Sequence, residues 1–254
     1  MEYKNKQYEE IEKSEWKGYN RYDFFVDGRE AIVIEPKEAA EGRPWIWRTE
    51  FFDAFSQADM AMVDKGWHLA YYKIQDMYGC PQAVELMRNF HMYVVKKFSL
   101  KNKVVQFGFS RGGLYAFNYT AKYSEDIAAL YLDAPVMDVK SWPAGKGIGE
   151  GAPKEWNECK ELYGITEEKL DDFKGSPLDK VEIVAEAKIP IIIVAGDSDR
   201  VVPYCENGQK LVKRYKELGG LIKEIVKAGC DHHPHSLDNP EPIVNFILEN
   251  AKRI

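Results

Sequence analysis

The chain has 254 residues, 45% of them hydrophobic, and a formal net charge of −6 from 35 basic and 41 acidic side chains. This composition supplies enough apolar surface for a sizeable core and excludes intrinsic disorder as the main state. With no basic excess and no apolar run approaching the roughly 18 residues of a membrane helix, we expect neither nucleic acid nor membrane as a partner.

The N-terminal residues and the cysteines bear on the cellular compartment. Met1–Lys6 lack the apolar stretch of a signal peptide, which predicts a cytoplasmic protein. The four cysteines are widely spaced and form no C-x-x-C pair, so we expect free thiols. No feature of the sequence predicts an oligomeric state.

The first predicted elements form a β-hairpin, Arg21–Val26 and Ala31–Ile34, joined by the turn pair Asp27-Gly28. Further along, short apolar runs alternate with helical stretches, which indicates βαβ units in a mostly parallel sheet with helices on both faces. The runs predict strands at Trp45–Trp47, His68–Ile74, Val104–Gly108, Ile127–Leu132, Ile191–Ala195 and Leu221–Val226, and helices near 50–65, 82–98, 112–123, 204–218 and 240–252.

Residues 138–180 interrupt this alternation, because they contain short amphipathic pieces but no convincing strand. Insertions that follow the carboxyl ends of strands tend to lie over the ligand crevice, so we expect a cap or lid here. The alternative is a surface excursion without a role. The chain as a whole, residues 1–254, is expected to form one domain that includes this insertion.

The sharpest local motif is Gly108-Phe109-Ser110-Arg111-Gly112. It follows an apolar strand and precedes a helical run, which is the context that a nucleophile elbow requires. Glycines on both sides of the serine remove Cβ atoms that would clash in such a tight turn, and the helix N-terminus offers N–H groups to negative charge. The alternative is a glycine-rich turn with an incidental serine.

A nucleophilic serine needs a base that an acid orients, in the chain order serine, acid, histidine. The run Gly196-Asp197-Ser198-Asp199 follows a predicted strand, and the run Gly229-Cys230-Asp231-His232-His233-Pro234-His235 follows the next one. Both runs therefore reach the sheet edge that carries Ser110, in the required order.

With these three motifs the chain resembles the α/β-hydrolase superfamily of serine esterases, lipases and peptidases, from the front hairpin to the final helix. The resemblance implies that fold and the role of nucleophile for Ser110. Gly196, Asp199, Val202 and Pro203 match the superfamily's frequent G-x-x-D-x-x-V-P pattern.

This pattern favours Asp199 over Asp197 as the triad acid, and the alternative role of Asp197 is to cap the turn. The resemblance also implies His232 as the base. His233 and His235 stay open as alternatives, because an aspartate precedes His232 where the superfamily often has glycine.

The superfamily's oxyanion hole uses two backbone N–H groups. We expect one from Arg111, directly after the nucleophile, and one from Thr49 or Glu50, in the loop where the superfamily often has His-Gly. Arg48 in the same loop is expected to bind a polar substrate, with an Arg48–Glu50 pair as the alternative.

Two aromatic residues, Tyr78 and Trp142, are expected to line the substrate pocket, with ordinary packing as the alternative. The histidines at 232, 233 and 235 also permit a metal site, since imidazole is a good ligand. Three histidines within four residues rarely face one point, however, so we expect no metal and no cofactor. His68 and His91 are expected to be structural.

The sequence therefore favours a serine hydrolase that cleaves a short or polar carboxylic ester, on a carbohydrate or aryl group, through an acyl-enzyme. A small-molecule ester is the expected partner. Peptidase or thioesterase chemistry on the same triad is the alternative, since the fold alone does not separate these activities. A non-catalytic binding protein of the same fold and a metal-dependent hydrolase are the remaining alternatives.

Overall fold

The computed structural model describes residues 11–251, so the prediction made from Met1–Lys6 lies outside the described residues. Nine strands form one sheet in the order β1-β2-β3-β5-β4-β6-β7-β8-β9. β1, β2, β3 and β5 pair antiparallel, and the pairs from β5 through β9 are parallel. The strands are β1 Glu12–Trp16, β2 Tyr19–Val26, β3 Arg29–Glu35, β4 Trp45–Arg48, β5 His68–Tyr72, β6 Val104–Phe109, β7 Ile127–Asp133, β8 Ile191–Gly196 and β9 Ile222–Lys227.

Helices cover both faces of the sheet and enclose two hydrophobic clusters. Helices α1 and α7 pack on one face, and the other helices contribute to the larger cluster on the opposite face. Within residues 11–251 no helix is both long and apolar enough to cross a bilayer. The helices are α1 Gln57–Asp64, α2 Pro81–Phe98, α3 Gly112–Lys122, α4 Pro153–Tyr163, α5 Val181–Glu186, α6 Gly208–Glu217 and α7 Glu241–Asn250. The predicted fold class, a mostly parallel sheet with an antiparallel edge hairpin and helices on both faces, is confirmed.

Side-chain alternation along the central strands explains how one sheet serves two clusters. In β4, Trp45 and Trp47 enter the larger cluster, while Ile46 between them enters the other. Successive side chains of a strand point to opposite faces, so a continuous apolar run fits a sheet that is covered on both sides. This arrangement buries the strands completely and brings their carboxyl ends to one edge.

The hairpin forms as predicted, as β2 and β3, with Asp27 and Gly28 both at positive φ (49° and 74°). Two positive φ values in a two-residue loop match the twist of the adjoining strands. The sequence did not predict the outer strand β1. Only Trp16 of its five residues is buried, so β1 carries almost no hydrophobic signal.

The helix expected near 50–65 begins only at Gln57. The segment before it has Phe51, Asp53 and Phe55 at positive φ (54°, 70° and 49°), which a right-handed helix does not allow. Residues 50–56 instead form a turn-rich loop after β4. This loop lies beside Arg111 and Gly112, which follow Ser110 in the chain.

Residues 138–180 contain no strand, as predicted, and α4 lies within them. Trp156 and Cys159 of α4 are buried in the larger cluster. Asn207, at the start of α6, accepts hydrogen bonds from the amides of Met137 (2.9 Å) and Asp138 (3.1 Å). The insertion is thus fixed to the body of the protein by core packing and by a buried amide side chain.

Candidate active site

The turn between β6 and α3 holds Ser110 in the left-handed region, at φ 50°. Its amide N–H donates to the carbonyl of Asp133 (2.9 Å), and its own carbonyl accepts from Gly113 (3.0 Å) and Val136 (2.9 Å). A non-glycine residue at positive φ is strained, and such strain persists where the surrounding contacts hold it. The turn therefore has the backbone geometry of a nucleophile elbow.

Two glycines make this turn possible by removing side-chain volume. A Cβ on Gly108 would lie 3.0 Å from the Cβ of Ala116, and a Cβ on Gly112 would lie 2.9 Å from Thr49 Oγ1 and 3.1 Å from Glu50 Cβ. These separations are too short for carbon contacts without movement of the neighbours. The loop after β4 therefore packs directly against the first turn of α3.

The three residues predicted as a triad lie together at the carboxyl edge of the sheet. Ser110 Oγ is 2.9 Å from His232 Nε2, and His232 Nδ1 is 2.7 Å from Asp199 Oδ2. The other oxygen of Asp199 accepts from the amides of Val201 (2.9 Å) and Val202 (2.8 Å). Asp199 and His232 are buried, so the hydrogen-bonded chain is shielded from water except at the serine.

The two aspartates beside these residues stabilise turns. Asp197 is exposed, and its carboxylate accepts from the amide of Gly229 (2.7 Å). Asp231 accepts from the amides of Arg200 (3.0 Å) and His232 (2.8 Å) and pairs with the Arg200 side chain. These hydrogen bonds lower the pKa of Asp231 to about 2. Both carboxylates connect the loop after β8 to the loop that carries His232.

Two backbone N–H groups next to Ser110 are free to bind an oxyanion. Within residues 11–251, the amides of Arg111 and Glu50 donate to no protein group. The amide of Thr49 donates to the carbonyl of Phe107 (3.1 Å), which extends the pairing of β4 with β6. The prediction of Thr49 as an alternative donor is therefore corrected, because its N–H is already used, and Glu50 is the candidate in this loop.

The side chain of Arg48 does not reach a pocket. It has no exposed surface, and its Nε donates to Asp59 Oδ1 (3.0 Å) while its guanidinium lies 3.6 Å from the centre of the Phe109 ring. The prediction that Arg48 binds substrate is corrected, because Arg48 belongs to β4 and points into the core. The alternative Arg48–Glu50 pair does not form either, because Arg48 pairs with Asp59 and Glu50 pairs with Arg111.

The side chain of Arg111, the residue after Ser110, forms the ion pair with Glu50. Arg111 Nε donates to Glu50 Oε2 (3.1 Å), and the guanidinium lies over the rings of Phe51 (5.2 Å) and Tyr78 (5.6 Å). Burial raises the pKa of Glu50 to about 7, and the charge of Arg111 acts in the opposite direction. Sequence reasoning assigned only the backbone of Arg111 a role, although its position next to Ser110 was a signal for the side chain.

Tyr78 and Trp142 pack against each other, with ring centres 6.3 Å apart. Both are nearly buried, and the Tyr78 hydroxyl donates to Glu158 of α4. The carbonyl of Tyr78 accepts from the hydroxyl of Tyr163 (2.7 Å). The two aromatic side chains thus join the β5–α2 loop to the insertion, and their contact with a substrate stays a prediction.

The histidines at 232, 233 and 235 lie close together. One ring nitrogen from each lies within 4.8 Å of the others. His235 Nδ1 is 2.7 Å from Asp133 Oδ1, and the other oxygen of Asp133 accepts from the amide of Ser236 (2.8 Å). The site therefore contains a second buried histidine–aspartate pair beside the first, which sequence reasoning missed.

His68 and His91 lie in the core, away from this edge. Burial lowers the pKa of each to about 4, so both are neutral at physiological pH. His91 Nε2 donates to the carbonyl of Asn102 (2.7 Å), and His68 Nε2 accepts from Arg43 (3.0 Å). Neither contacts the residues around Ser110.

Comparison with known proteins agrees with the fold. The model of the Prolyl oligopeptidase family matches residues 66–252, and no curated protein sequence matches the chain. Three similar solved structures are a Mycobacterium tuberculosis puromycin-hydrolyzing peptidase (13% identity, 89% of this chain, TM-score 0.67), Porphyromonas gingivalis dipeptidyl peptidase 4 (12%, 96%, 0.67) and Pyrococcus horikoshii acylaminoacyl peptidase (14%, 96%, 0.64). The chain spans 37%, 36% and 40% of those chains. The resemblance to α/β-hydrolases is confirmed.

Proposed function

The chain belongs to the prolyl oligopeptidase family, and on that premise we propose that it is a serine peptidase acting through Ser110, His232 and Asp199. The observation that carries the proposal is the hydrogen-bonded series from Ser110 Oγ through His232 to Asp199, at 2.9 and 2.7 Å. The similar structures named above are all peptidases by name, which favours amide over ester bonds. A peptidase thus replaces the carbohydrate or aryl ester hydrolase that the sequence favoured.

The reaction uses the three side chains in sequence. Ser110 Oγ attacks the scissile carbonyl carbon while His232 Nε2 accepts the hydroxyl proton, and Asp199 holds the imidazole in the required tautomer. The tetrahedral intermediate collapses as His232 gives this proton to the leaving amine, which breaks the C–N bond. Water then attacks the acyl-enzyme with the same base and releases the carboxylic acid.

The negative oxygen of each tetrahedral intermediate is proposed to bind the free amides of Arg111 and Glu50. Both amides flank the nucleophile, and a Cβ built on Gly112 would lie 3.6 Å from the Glu50 nitrogen, so this N–H lies at the first turn of α3. Preorganised donors of this kind commonly contribute more to rate than any other single group.

Residues 138–180 are proposed to act as a fixed cap within one domain. The support is their attachment to Asn207 and the contact of Glu158 with Tyr78, which places the insertion beside the loop that faces Arg111. A fixed cap would limit the size of the substrate that reaches Ser110 without a closing motion.

The test is a comparison of matched amide and ester substrates. We expect turnover of aminoacyl and dipeptidyl 4-nitroanilides, and a decrease of at least about 10⁴-fold in kcat for Ser110→Ala. Ser14→Ala, on the exposed strand β1, is the matched control and should leave both rates unchanged.

Labelling by a fluorophosphonate probe followed by peptide mapping should place the adduct on Ser110. Turnover of 4-nitrophenyl esters with no turnover of any nitroanilide would overturn the peptidase proposal in favour of an esterase. Labelling that persists in Ser110→Ala would overturn the assignment of the nucleophile.

A further inference from the structure

We propose that His232, His233 and His235 form an inhibitory binding site for a divalent transition metal ion, with Zn²⁺ as the matching ion. The three are the one group of histidine, cysteine or acidic side chains within residues 11–251 whose donor atoms approach in this way. The inference rests on the proposed function in one respect only, the role of His232 as base. Metal binding itself requires no catalytic activity.

The three imidazoles lie against one another. Their ring centres are 4.8 to 4.9 Å apart, with planes 76° to 86° from one another, and the donor nitrogens lie within 4.8 Å. A tetrahedral zinc site with Zn–N bonds of about 2.0–2.1 Å needs nitrogens about 3.3 Å apart. A short closing movement is therefore required, and we assign it to His233, the exposed member of the three.

Two buried carboxylates already orient the other two ligands. His232 Nδ1 bonds to Asp199 and His235 Nδ1 bonds to Asp133, each at 2.7 Å, and both aspartate side chains are 1% exposed. Histidines that bind metal ions usually donate their other ring N–H to a carboxylate, which fixes the ring and directs the remaining nitrogen to the metal. The structure contains this arrangement twice, side by side.

The donor set favours a transition-metal ion. Three neutral imidazoles and one water are a known ligand set for tetrahedral Zn²⁺, whereas Mg²⁺ and Ca²⁺ prefer oxygen donors. Ser110 Oγ, 2.9 Å from His232 Nε2, is the group that the ion would displace. Zn²⁺ and the serine hydroxyl need the same lone pair on His232, so bound Zn²⁺ removes the base from the reaction.

Calorimetric titration of the full chain, freed of metal by a chelator, with ZnCl₂ tests the site. We expect one ion per chain, a slower reaction with a fluorophosphonate probe when Zn²⁺ is bound, and full recovery after a chelator is added. His233→Ala should weaken Zn²⁺ binding by at least about tenfold. This is the smallest effect that is typical for loss of a residue that only supports a metal ligand, and His233 is a proposed ligand itself. Because His233 is exposed and outside the triad, this variant should keep its folding and its activity without metal.

Two further variants separate this proposal from the proposed function. Cys230→Ser should bind Zn²⁺ like the parent, since the thiol near the loop is not a ligand. Ser110→Ala should bind Zn²⁺ at least as tightly as the parent while being inactive, because the competing hydroxyl is gone. Absence of 1:1 binding, or binding that His233→Ala leaves unchanged, would overturn the metal site even if the peptidase assay succeeds. Zn²⁺ binding by a chain without peptidase activity would leave the metal site standing and remove the proposed function.

Discussion

At the scale of single residues, Glu50 has an unusual position for a carboxylate. Its side chain is 1% exposed, one oxygen accepts from Arg111, and Oε1 has no hydrogen-bond partner among the described residues. Burial of a charge with one unpaired oxygen is costly, and burial raises the pKa of this group to about 7. The carboxylate is therefore held beside the nucleophile at the expense of stability.

Glu50→Gln should make the protein more stable at pH 8 but not at pH 4. Between pH 4.5 and about 7 the folded state keeps the Glu50 proton that the unfolded chain has released, so the free energy of unfolding falls as pH rises and then levels off. Over this range the free energy of unfolding falls by about 3 kcal/mol. Glutamine at position 50 has no carboxyl proton to lose, so the substitution removes this fall. Urea unfolding at several pH values measures it, with Glu15→Gln on exposed β1 as control. An equal gain at pH 4 and pH 8 would refute the explanation.

The site residues that could be predicted from the sequence are those that lie in a short local motif. Ser110, Asp199 and His232 each lie in a short run after a strand, and the structure brings these three runs together. The sequence could not predict that Glu50 pairs with Arg111 while Arg48 pairs with Asp59. These pairs depend on which face of β4 points to the core. The second pair, His235 with Asp133, joins a loop to the end of β7, and no spacing in the sequence marks it.

At the scale of elements, the contact between the loop after β4 and the first turn of α3 decides where the proposed oxyanion donors lie. Gly112 is the point of closest approach, and its missing Cβ leaves room for Thr49 and Glu50. The free amide of Glu50 keeps its place only while this contact is undisturbed. The proposed catalysis and the packing of this loop therefore depend on the same glycine.

Gly112→Ala should lower kcat by at least about tenfold, since small displacements of a positioned group have large effects on rate. The new methyl group would push Glu50 away from Arg111, while the triad distances stay as they are. Gly219→Ala, where φ is 74° and the space around the Cβ is open, is the control. It should lower the free energy of unfolding without changing kcat. Equal kcat values for both variants would contradict this role of Gly112.

Elements were predictable where hydrophobic periodicity was strong. The apolar runs predicted the buried strands, but β1 has four exposed residues of five and gave no such signal. The position of β5 between β3 and β4 in the sheet also has no local signal, because pairing order depends on contacts between distant segments. Residues 50–56 do not form a helix, because three of them have positive φ and their aromatic side chains pack against distant segments: Phe52 against Trp16 and Tyr71, and Phe55 against His233 and His235.

At the scale of the whole molecule, two buried neutral histidines make folding sensitive to acid. His68 and His91 are 0% and 4% exposed, and burial lowers the pKa of each to about 4. In the unfolded chain these histidines bind protons near pH 6.5, whereas in the folded protein they bind protons only near pH 4. The free energy of unfolding therefore rises with pH across this window, which is the reverse of the effect of Glu50.

Lowering the pH from 6.5 to 4 should reduce the free energy of unfolding by about 3 kcal/mol for each histidine. His91→Gln, which keeps a donor for the Asn102 carbonyl, should reduce the rise in unfolding free energy over this range. The same change at His68 should reduce it further, because the two sites are separate. Chemical unfolding at closely spaced pH values provides the measurement. A slope that neither substitution alters would show that other groups control acid unfolding.

Asp133, at the end of β7, connects the turn that carries Ser110 with the loop that carries His232. Its carbonyl anchors the amide of Ser110, while its carboxylate anchors His235 and Ser236, a few residues after His232. A displacement of this strand end should therefore move the Ser110 amide and the loop that follows His232 together. The distance of 2.9 Å between Ser110 Oγ and His232 Nε2 should therefore change little when the sheet moves.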